Sequence, residues 1–478
     1  MSDSSSSPFS SSSFSSLSAA SASEATASVL AVAEGLVKPR TNGDEYFVCH
    51  ESSYQSLLNE KVQKLKTLLP YGDVEVFDSP KTNFRMRANF FIWRDTKNNA
   101  DPSAMYYAMC EPNNKNNKCE ITCFPRGSVL MNNLMHELMV LLRADTAVSR
   151  ILRENAFEMR IVTTLVGQAV IILIYRKPIP EGWLEAANEA SKILRGVKIV
   201  GRSKKVVQVT GNGDGDELIE EVLTVNGKQF KYFQAEGSFS QPNAAVCEKM
   251  LTWACNVTRD SKEHDLLELY CGGGTFTAAL SQNFRQVMAT EVSKSSVQMA
   301  LKTFAANSID NVKVARLSSE EFTVAFQGNR NFERLQIAGI SFKDYDIRTV
   351  FVDPPRAGLD EKTRILISIF ERIVYISCNP ETLARDVAAL LSTHRIEKMA
   401  AFDQFPYTHH LESGVFLVRH TIRDLVTTSI GAAGGEEAAT IAGEEPTKTI
   451  IDLGKRAKRK AEYELKAAES LESEEGKN

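Results

Sequence analysis

The sequence predicts an α/β fold, with a doubly wound, mostly parallel sheet covered by helices on both faces in its carboxy-terminal half and an α+β domain before it. Three observations predict this. From Gln241 onward short apolar runs alternate with amphipathic stretches, which sets strands at residues 266–270, 286–290, 349–352 and 372–376. The first strand runs into Gly272-Gly273-Gly274, and an acid, Glu291, follows the second strand nineteen residues after Gly272. Before about residue 230 the order is mixed, with strands expected near Ala169-Val170-Ile171-Ile172-Leu173-Ile174-Tyr175 and Val206-Val207-Gln208-Val209 on either side of a helical stretch.

Taken in order, residues 1–41 read as a disordered tail. The first 28 residues hold 15 serines and the first basic residue is Lys38, so a solvated tail fits better than an organellar signal. A helix follows near Tyr54, because Leu57, Leu58, Val62, Leu65, Leu68 and Leu69 share a face until Pro70 stops it. Phe84-Arg85-Met86-Arg87-Ala88-Asn89-Phe90-Phe91-Ile92-Trp93-Arg94 partly alternates and is aromatic, as a strand would be, and Asn98, Asn99, Asp101 and Pro102 make the turn after it. The domains expected are 42–235 and 236–422, with a charged low-complexity tail over 423–478 that contains Lys455-Arg456-Ala457-Lys458-Arg459-Lys460.

Composition narrows the function classes. A net charge of −4 and a pI near 6.1 exclude indiscriminate nucleic-acid binding, so any RNA contact needs a local basic patch. Phe84, Arg85, Arg87, Phe90, Phe91, Trp93 and Arg94 form one candidate group; Lys192, Arg195, Lys198, Arg202, Lys204 and Lys205 form another. For most of these a core strand or a solvated face is the plainer account. No apolar run approaches the ~18 residues of a membrane span. Eight scattered cysteines suit a reducing compartment. Cys110, Cys119 and Cys123 lack a paired C-x2-C and a fourth ligand, so no metal is expected. A monomer in the cytoplasm is the default expectation; the serine-rich start leaves a plastid address open and the basic cluster a nuclear one.

The chemistry gathers in the last third. Glycines after an apolar strand let the backbone approach a ligand, and an acid after the next strand accepts hydrogen bonds from ribose hydroxyls. The run is not G-x-G-x-x-G and no G-x-x-x-x-G-K-[ST] loop occurs, so S-adenosylmethionine fits better than NAD or a nucleoside triphosphate. Cys378 ends a strand ahead of Asn379, a good helix cap, and Pro380, suited to the first helical position. The aligned dipoles there are expected to lower the thiol pKa, with Glu381 opposing. Asp353, before Pro354-Pro355, ends another strand of the same sheet. Glu412 alone would pass for a surface carboxylate.

From about Tyr54 to Arg419 the chain resembles the tRNA (uracil-5-)-methyltransferase family. The resemblance runs through Phe84-Arg85-Met86-Arg87, Ser240-Gln241-Pro242-Asn243, the glycine turn, Phe351-Val352-Asp353-Pro354-Pro355-Arg356, Ser377-Cys378-Asn379-Pro380-Glu381-Thr382 and Phe402-Asp403-Gln404-Phe405-Pro406-Tyr407-Thr408-His409-His410. It implies a Rossmann-like methyltransferase domain after an RNA-binding one, with Cys378 as nucleophile and Glu412 as proton acceptor. It also implies S-adenosylmethionine contacts from Gln241, Tyr270, Glu291 and Asp353, and Phe157 as an aromatic inserted into RNA. Where the family turn commonly reads G-N-G-N, this one reads Gly272-Gly273-Gly274-Thr275, so Thr275 offers a hydroxyl in place of an amide. The implied substrate is the tRNA T-arm, with uridine becoming ribothymidine. Rival expectations are a ribosomal-RNA uracil methyltransferase, a tRNA-folding chaperone with secondary catalysis, and an amino methyltransferase. Relatives acting on ribosomal RNA often add an OB-like module and a four-cysteine cluster, which this sequence does not suggest. An amino methyltransferase would leave Cys378 and Glu412 without a purpose.

Overall fold

The computed structural model describes residues 43–94, 101–111, 114–204, 206–211, 218–234, 237 and 239–421. The serine-rich tail, the tail with the basic cluster, Asn98, Asn99 and Lys205 lie outside the described residues. The strands are β1 (Val74–Phe77), β2 (Arg87–Arg94), β3 (Met105–Glu111), β4 (Asn114–Ile121), β5 (Ala156–Thr163), β6 (Ala169–Tyr175), β7 (Lys198–Ser203) and β8 (Val206–Val209). They continue as β9 (Ile219–Val225), β10 (Lys228–Gln234), β11 (Asp265–Leu269), β12 (Val287–Thr290), β13 (Val312–Ala315), β14 (Ile347–Val352), β15 (Arg372–Ser377), β16 (His394–Phe402) and β17 (Glu412–Arg419).

Two large sheets organise these strands. One has seven strands in the order β4-β3-β2-β5-β6-β7-β8. Its β6 is apolar throughout because every residue is buried, as suits a strand covered on both faces. Helices Val129–Arg143 and Trp183–Ile193 pack one face through Leu134, Leu138, Trp183 and Ala187. The other face carries Val162, Val170, Ile172 and Val200 against Ile219 of β9. The β9–β10 hairpin stands apart from both sheets.

The second sheet has eight strands in the order β1-β16-β17-β15-β14-β11-β12-β13. Strands β11 to β15 pair in parallel, while β17 runs antiparallel to both β15 and β16. Helix Ala244–Val257 buries Val246, Met250 and Trp253 on one face, and the other face packs Leu267, Val350 and Tyr375 with Leu383 and Val387 of helix Pro380–Leu390. This is a mixed α/β fold, with a Rossmann-like sheet and a further β-rich region.

The sequence places residues 42–235 together, but β1 pairs in parallel with β16 and so belongs to the eight-stranded sheet. Helix Glu51–Leu68 joins it there, and its buried stripe is Tyr54, Leu58, Lys61 and Leu65. The seven-stranded unit is therefore set inside the other, between β1 and β11. A lysine occupies a core position of that stripe because Lys61 Nζ lies 2.6 Å from Asp403 Oδ1, with side chains 5 % and 2 % exposed, and also donates to Phe405 O at 2.9 Å. Asn243 ties the same region together: its backbone N–H donates to Gln404 Oε1 at 2.8 Å and its side-chain Nδ2 donates to Ser79 Oγ at 2.7 Å.

Lys61→Met leaves Asp403 buried without its cation, so denaturant unfolding should show a loss of about 3–5 kcal/mol. Adding Asp403→Leu should restore most of it. Equal stability of Lys61→Met and wild type would mean that the pair is not a structural tie.

Candidate active site

The register of the eight-stranded sheet assembles the site at its carboxyl edge, where open α/β sheets take ligands. Leu269 lies beside Val352 and beside Thr290, so Tyr270, Asp353 and Glu291 leave the sheet as neighbours. Val352 lies beside Tyr375, three residues before Cys378. Ser377 faces Ser413 across the antiparallel β15–β17 pair. Continued by one residue, that register sets Cys378 beside Glu412.

Cys378 is half-buried at the start of helix Pro380–Leu390, whose first turn is capped by Asn379 accepting from Glu381 N at 3.1 Å. Asn379 and Thr382 also donate to Arg356 O at 3.2 Å each, which binds the Asp353-Pro354-Pro355-Arg356 corner to this helix. The sequence expectation of a lowered thiol pKa is corrected here. Burial, then the charges of Glu412 and Asp353, push the Cys378 thiol up to about 11, with Arg356 opposing. Burial of the sulfur comes first, and two carboxylates arriving from other strands add to it.

Glu412 is 4 % exposed; burial, reinforced by Asp353 and opposed by Arg356, pushes its carboxyl up to about 8. Burial alone pushes Asp353 up to about 7. Arg356 is exposed and reaches His410, with Nη2 3.4 Å from Nδ1. Burial, then His409 and Arg356, hold His410 below its usual value.

The glycine turn beside this cluster is built for a ligand. Tyr270, Gly272 and Gly274 have φ of 63°, 55° and 79°. A Cβ on Gly274 would lie 2.8 Å from the Phe304 ring and 3.1 Å from Ala300 Cβ, so no side chain fits. Glu291 steadies the turn, accepting from Gly272 N at 3.1 Å and Ser293 N at 2.7 Å. The Tyr270 hydroxyl donates to Ser319 Oγ at 2.6 Å. Gly272, Gly273, Gln241, Thr275, Ser296 and Met299 line an open cleft. Within it Gln241 Oε1 is buried with no hydrogen-bond partner among the described residues. An unanswered acceptor beside a side-chain-free turn fits a nucleoside cofactor with N–H donors.

The structure unites Cys378, Glu412 and Asp353, and sets Gln241, Tyr270, Thr275 and Glu291 around the turn. It does not unite the expected RNA contacts. Phe84 is 4 % exposed and packs near Tyr407, ring centroids 6.5 Å apart; as a core side chain it is no stacking platform, which corrects that expectation. The aromatic stretch misled because Phe84 and Phe90 face inward, while Phe91 and Trp93 take the half-buried face. Phe157 is half-buried on β5 beneath Arg176, 5.0 Å from its ring. Arg85 Nε donates to Arg87 O at 2.8 Å and Arg87 Nη1 to Ser240 Oγ at 3.5 Å, beside Gln241. Lys192 and Arg195 are paired with Glu189 and Glu137, so that group is partly neutralised.

Two cations escaped sequence reasoning. Arg126 lies over Tyr407 and near Arg85, with no spacing to announce it, whereas Arg356 stood in the Asp-Pro-Pro-Arg run without a role. Among the described residues no group of three His, Cys, Asp or Glu is placed to hold a metal ion, and no helix is long and apolar enough to cross a membrane.

A family model described as tRNA (Uracil-5-)-methyltransferase matches residues 53–420. A tRNA/tmRNA (uracil-C(5))-methyltransferase of Acinetobacter baumannii is 47 % identical over 372 residues, covering 77 % of this chain and 99 % of that protein. A protein of the same description from Pseudomonas putida is 48 % identical over 371 residues, 77 % of this chain and 98 % of its own. Among solved structures, the tRNA (uracil-54, C5)-methyltransferase of Pyrococcus abyssi in complex with S-adenosyl-L-homocysteine aligns with a TM-score of 0.55 over 76 % of this chain and 83 % of its own. At 22 % identity that likeness is one of fold.

Because burial, and then two carboxylates, raise the Cys378 thiol, its alkylation by iodoacetamide should be slow at pH 7 and climb toward about pH 11. In Glu412→Gln one of those charges is gone, so the midpoint should fall. Peptide mass spectrometry across pH reads both; an unchanged midpoint would mean that the two side chains do not feel each other.

Proposed function

Since this chain belongs to the tRNA (uracil-5-)-methyltransferase family and is an S-adenosylmethionine-dependent enzyme acting on carbon 5 of uracil in tRNA, we propose that its target is a T-loop uridine, converted to ribothymidine through a covalent Cys378 adduct. The observation that carries the proposal is the strand register setting Cys378 beside Glu412, with Asp353 in the same electrostatic cluster. It gives two other isolated-looking residues a common task.

Carbon 5 of uracil is a weak nucleophile, and covalent catalysis answers that. The Cys378 thiol, protonated at rest, first gives its proton up to solvent; the thiolate then adds to carbon 6, which gives carbon 5 enolate character. When bound, S-adenosylmethionine supplies an electrophilic methyl group; Gln241, Tyr270, Thr275 and Glu291 are the residues that would hold it. Glu412 then takes the proton left on the methylated carbon 5, and elimination of the Cys378 sulfur restores the ring double bond. Burial suits Glu412 to this step, since a carboxyl near 8 is a stronger base than a solvated one, and the anion that takes the proton is about a tenth of the population at pH 7. Asp353 is proposed to hold the uracil edge, being coupled to both Cys378 and Glu412.

A stacked base cannot reach a strand-end pocket, so the uridine is flipped out of the loop. Arg85, Arg87 and Arg126, near the Gln241 loop, are proposed to meet the RNA backbone there, and Phe157 to stack where the loop opens. Phe84 supports that surface from beneath.

With unmodified tRNA and labelled S-adenosylmethionine, Cys378→Ala should give neither adduct nor product. Glu412→Gln should accumulate a denaturation-resistant protein–RNA adduct while turnover falls about 10²–10⁴-fold. Nucleoside mass spectrometry of the T-loop fragment reads the product; normal turnover by Glu412→Gln removes it from the mechanism, and product on ribosomal RNA alone overturns the substrate.

A further inference from the structure

The cleft beside the glycine turn holds a carboxylate that the chemistry above leaves without a task. Glu221 lies on β9, in the hairpin that belongs to neither large sheet, and lines the cleft together with Gln241. The residue is 2 % exposed. Its Oε1 accepts from Leu165 N at 2.9 Å and Val222 N at 3.1 Å, while Oε2 is buried with no hydrogen-bond partner among the described residues. Burial pushes the carboxyl up to about 7, with the two backbone donors pulling the other way and Glu248 adding to the rise.

A buried carboxylate oxygen without a partner costs free energy unless something answers it. Gln241 Oε1 stands in the same position in the same cleft. Two unanswered acceptors, one of them an acid, call for a ligand end with several N–H donors and a positive charge. A hydroxyl offers one donor and no charge; an alkylammonium offers three donors and the charge. The cleft walls near them, Gly272 and Gly273, bring backbone rather than side chains to the ligand.

We propose that Glu221, with Gln241, binds the α-ammonium group of the amino-acid end of S-adenosylmethionine, which makes Glu221 a cofactor-binding residue of this chain. The proposal rests on the cofactor reading above and adds an orientation to it: the amino-acid end lies toward the β9–β10 hairpin. It also separates two kinds of ligand. One that keeps the adenosine but lacks the ammonium gains nothing from Glu221.

The test is isothermal titration calorimetry of the full chain, wild type and Glu221→Gln, with three ligands: S-adenosylhomocysteine, its desamino analogue, and 5′-methylthioadenosine, which lacks the amino-acid end. Glutamine keeps an oxygen for Leu165 N and Val222 N and loses only the charge. Glu221→Gln should weaken S-adenosylhomocysteine about tenfold or more, as loss of a charged hydrogen bond does, and leave the other two ligands unchanged. Retained 5′-methylthioadenosine binding certifies the fold of the variant. Equal weakening of all three ligands, or none of S-adenosylhomocysteine, overturns the proposal while the cofactor reading stands. Failure of wild type to bind S-adenosylhomocysteine overturns both.

Discussion

Strand β17 is threaded between β15 and β16, and its register is the constraint on which the chemistry depends. Side chains alternate along a strand, so a slip of one residue would turn Glu412 to the opposite face and take it from Cys378. The register is held by burial, since Ser413, Gly414, Val415 and Leu417 are all enclosed. Gly414 is the tightest of these: a Cβ there would lie 2.8 Å from the Trp253 ring. The core that packs around β17 thereby fixes a proton acceptor as well as a fold. The buried Lys61–Asp403 pair works toward the same end, because it anchors the loop that runs from β16 to Glu412.

That enclosure has an electrostatic side. Asp353, Glu412 and Glu221 sit in a low-dielectric region with little cationic compensation, and their carboxyls rise accordingly. A fourth acid, Glu268, is buried behind the glycine turn, where burial pushes it up to about 8. Carboxyls held this way are unfavourable as anions in the resting protein and become favourable when a ligand brings donors or positive charge. Strain of this kind at a site is the mark of pre-organisation for binding and proton transfer.

Much of the carboxyl-edge architecture was legible because its signals are local. Strands β11, β12, β14 and β15 are short apolar runs ended by turn residues, and Asn379-Pro380 announces its helix by capping chemistry alone. The Gly272-Gly273-Gly274 run and Glu291 likewise need no distant partner to be read. What failed depends on contacts far along the chain. Lys61 looks like the polar side of a helix until Asp403, 342 residues on, receives it. The lowered thiol expected of Cys378 follows from its helix, but the burial that reverses it, and the carboxylates that add to it, come from the fold around the ends of β14 and β17. Phe84 looks like one ring in an aromatic stripe, and only Tyr407 marks it as core. Glu221 carries no motif; its buried, half-answered carboxylate is visible only once Leu165 and the cleft are in place.

The nesting of one unit inside the other bears on how the chain comes off the ribosome. Val74–Phe77 pairs with Met399–Phe402, so the edge strand emerges more than 300 residues before its partner is made. The seven-stranded sheet is complete within residues 87–209 and has its own core, which lets it fold while translation continues. The helix and strand that precede it must wait, with Tyr54, Leu58 and Leu65 exposed, until nearly all of the described chain has been synthesised. Such a long-range closure is slow, and it leaves the nascent amino-terminal segment a natural client for chaperones during elongation.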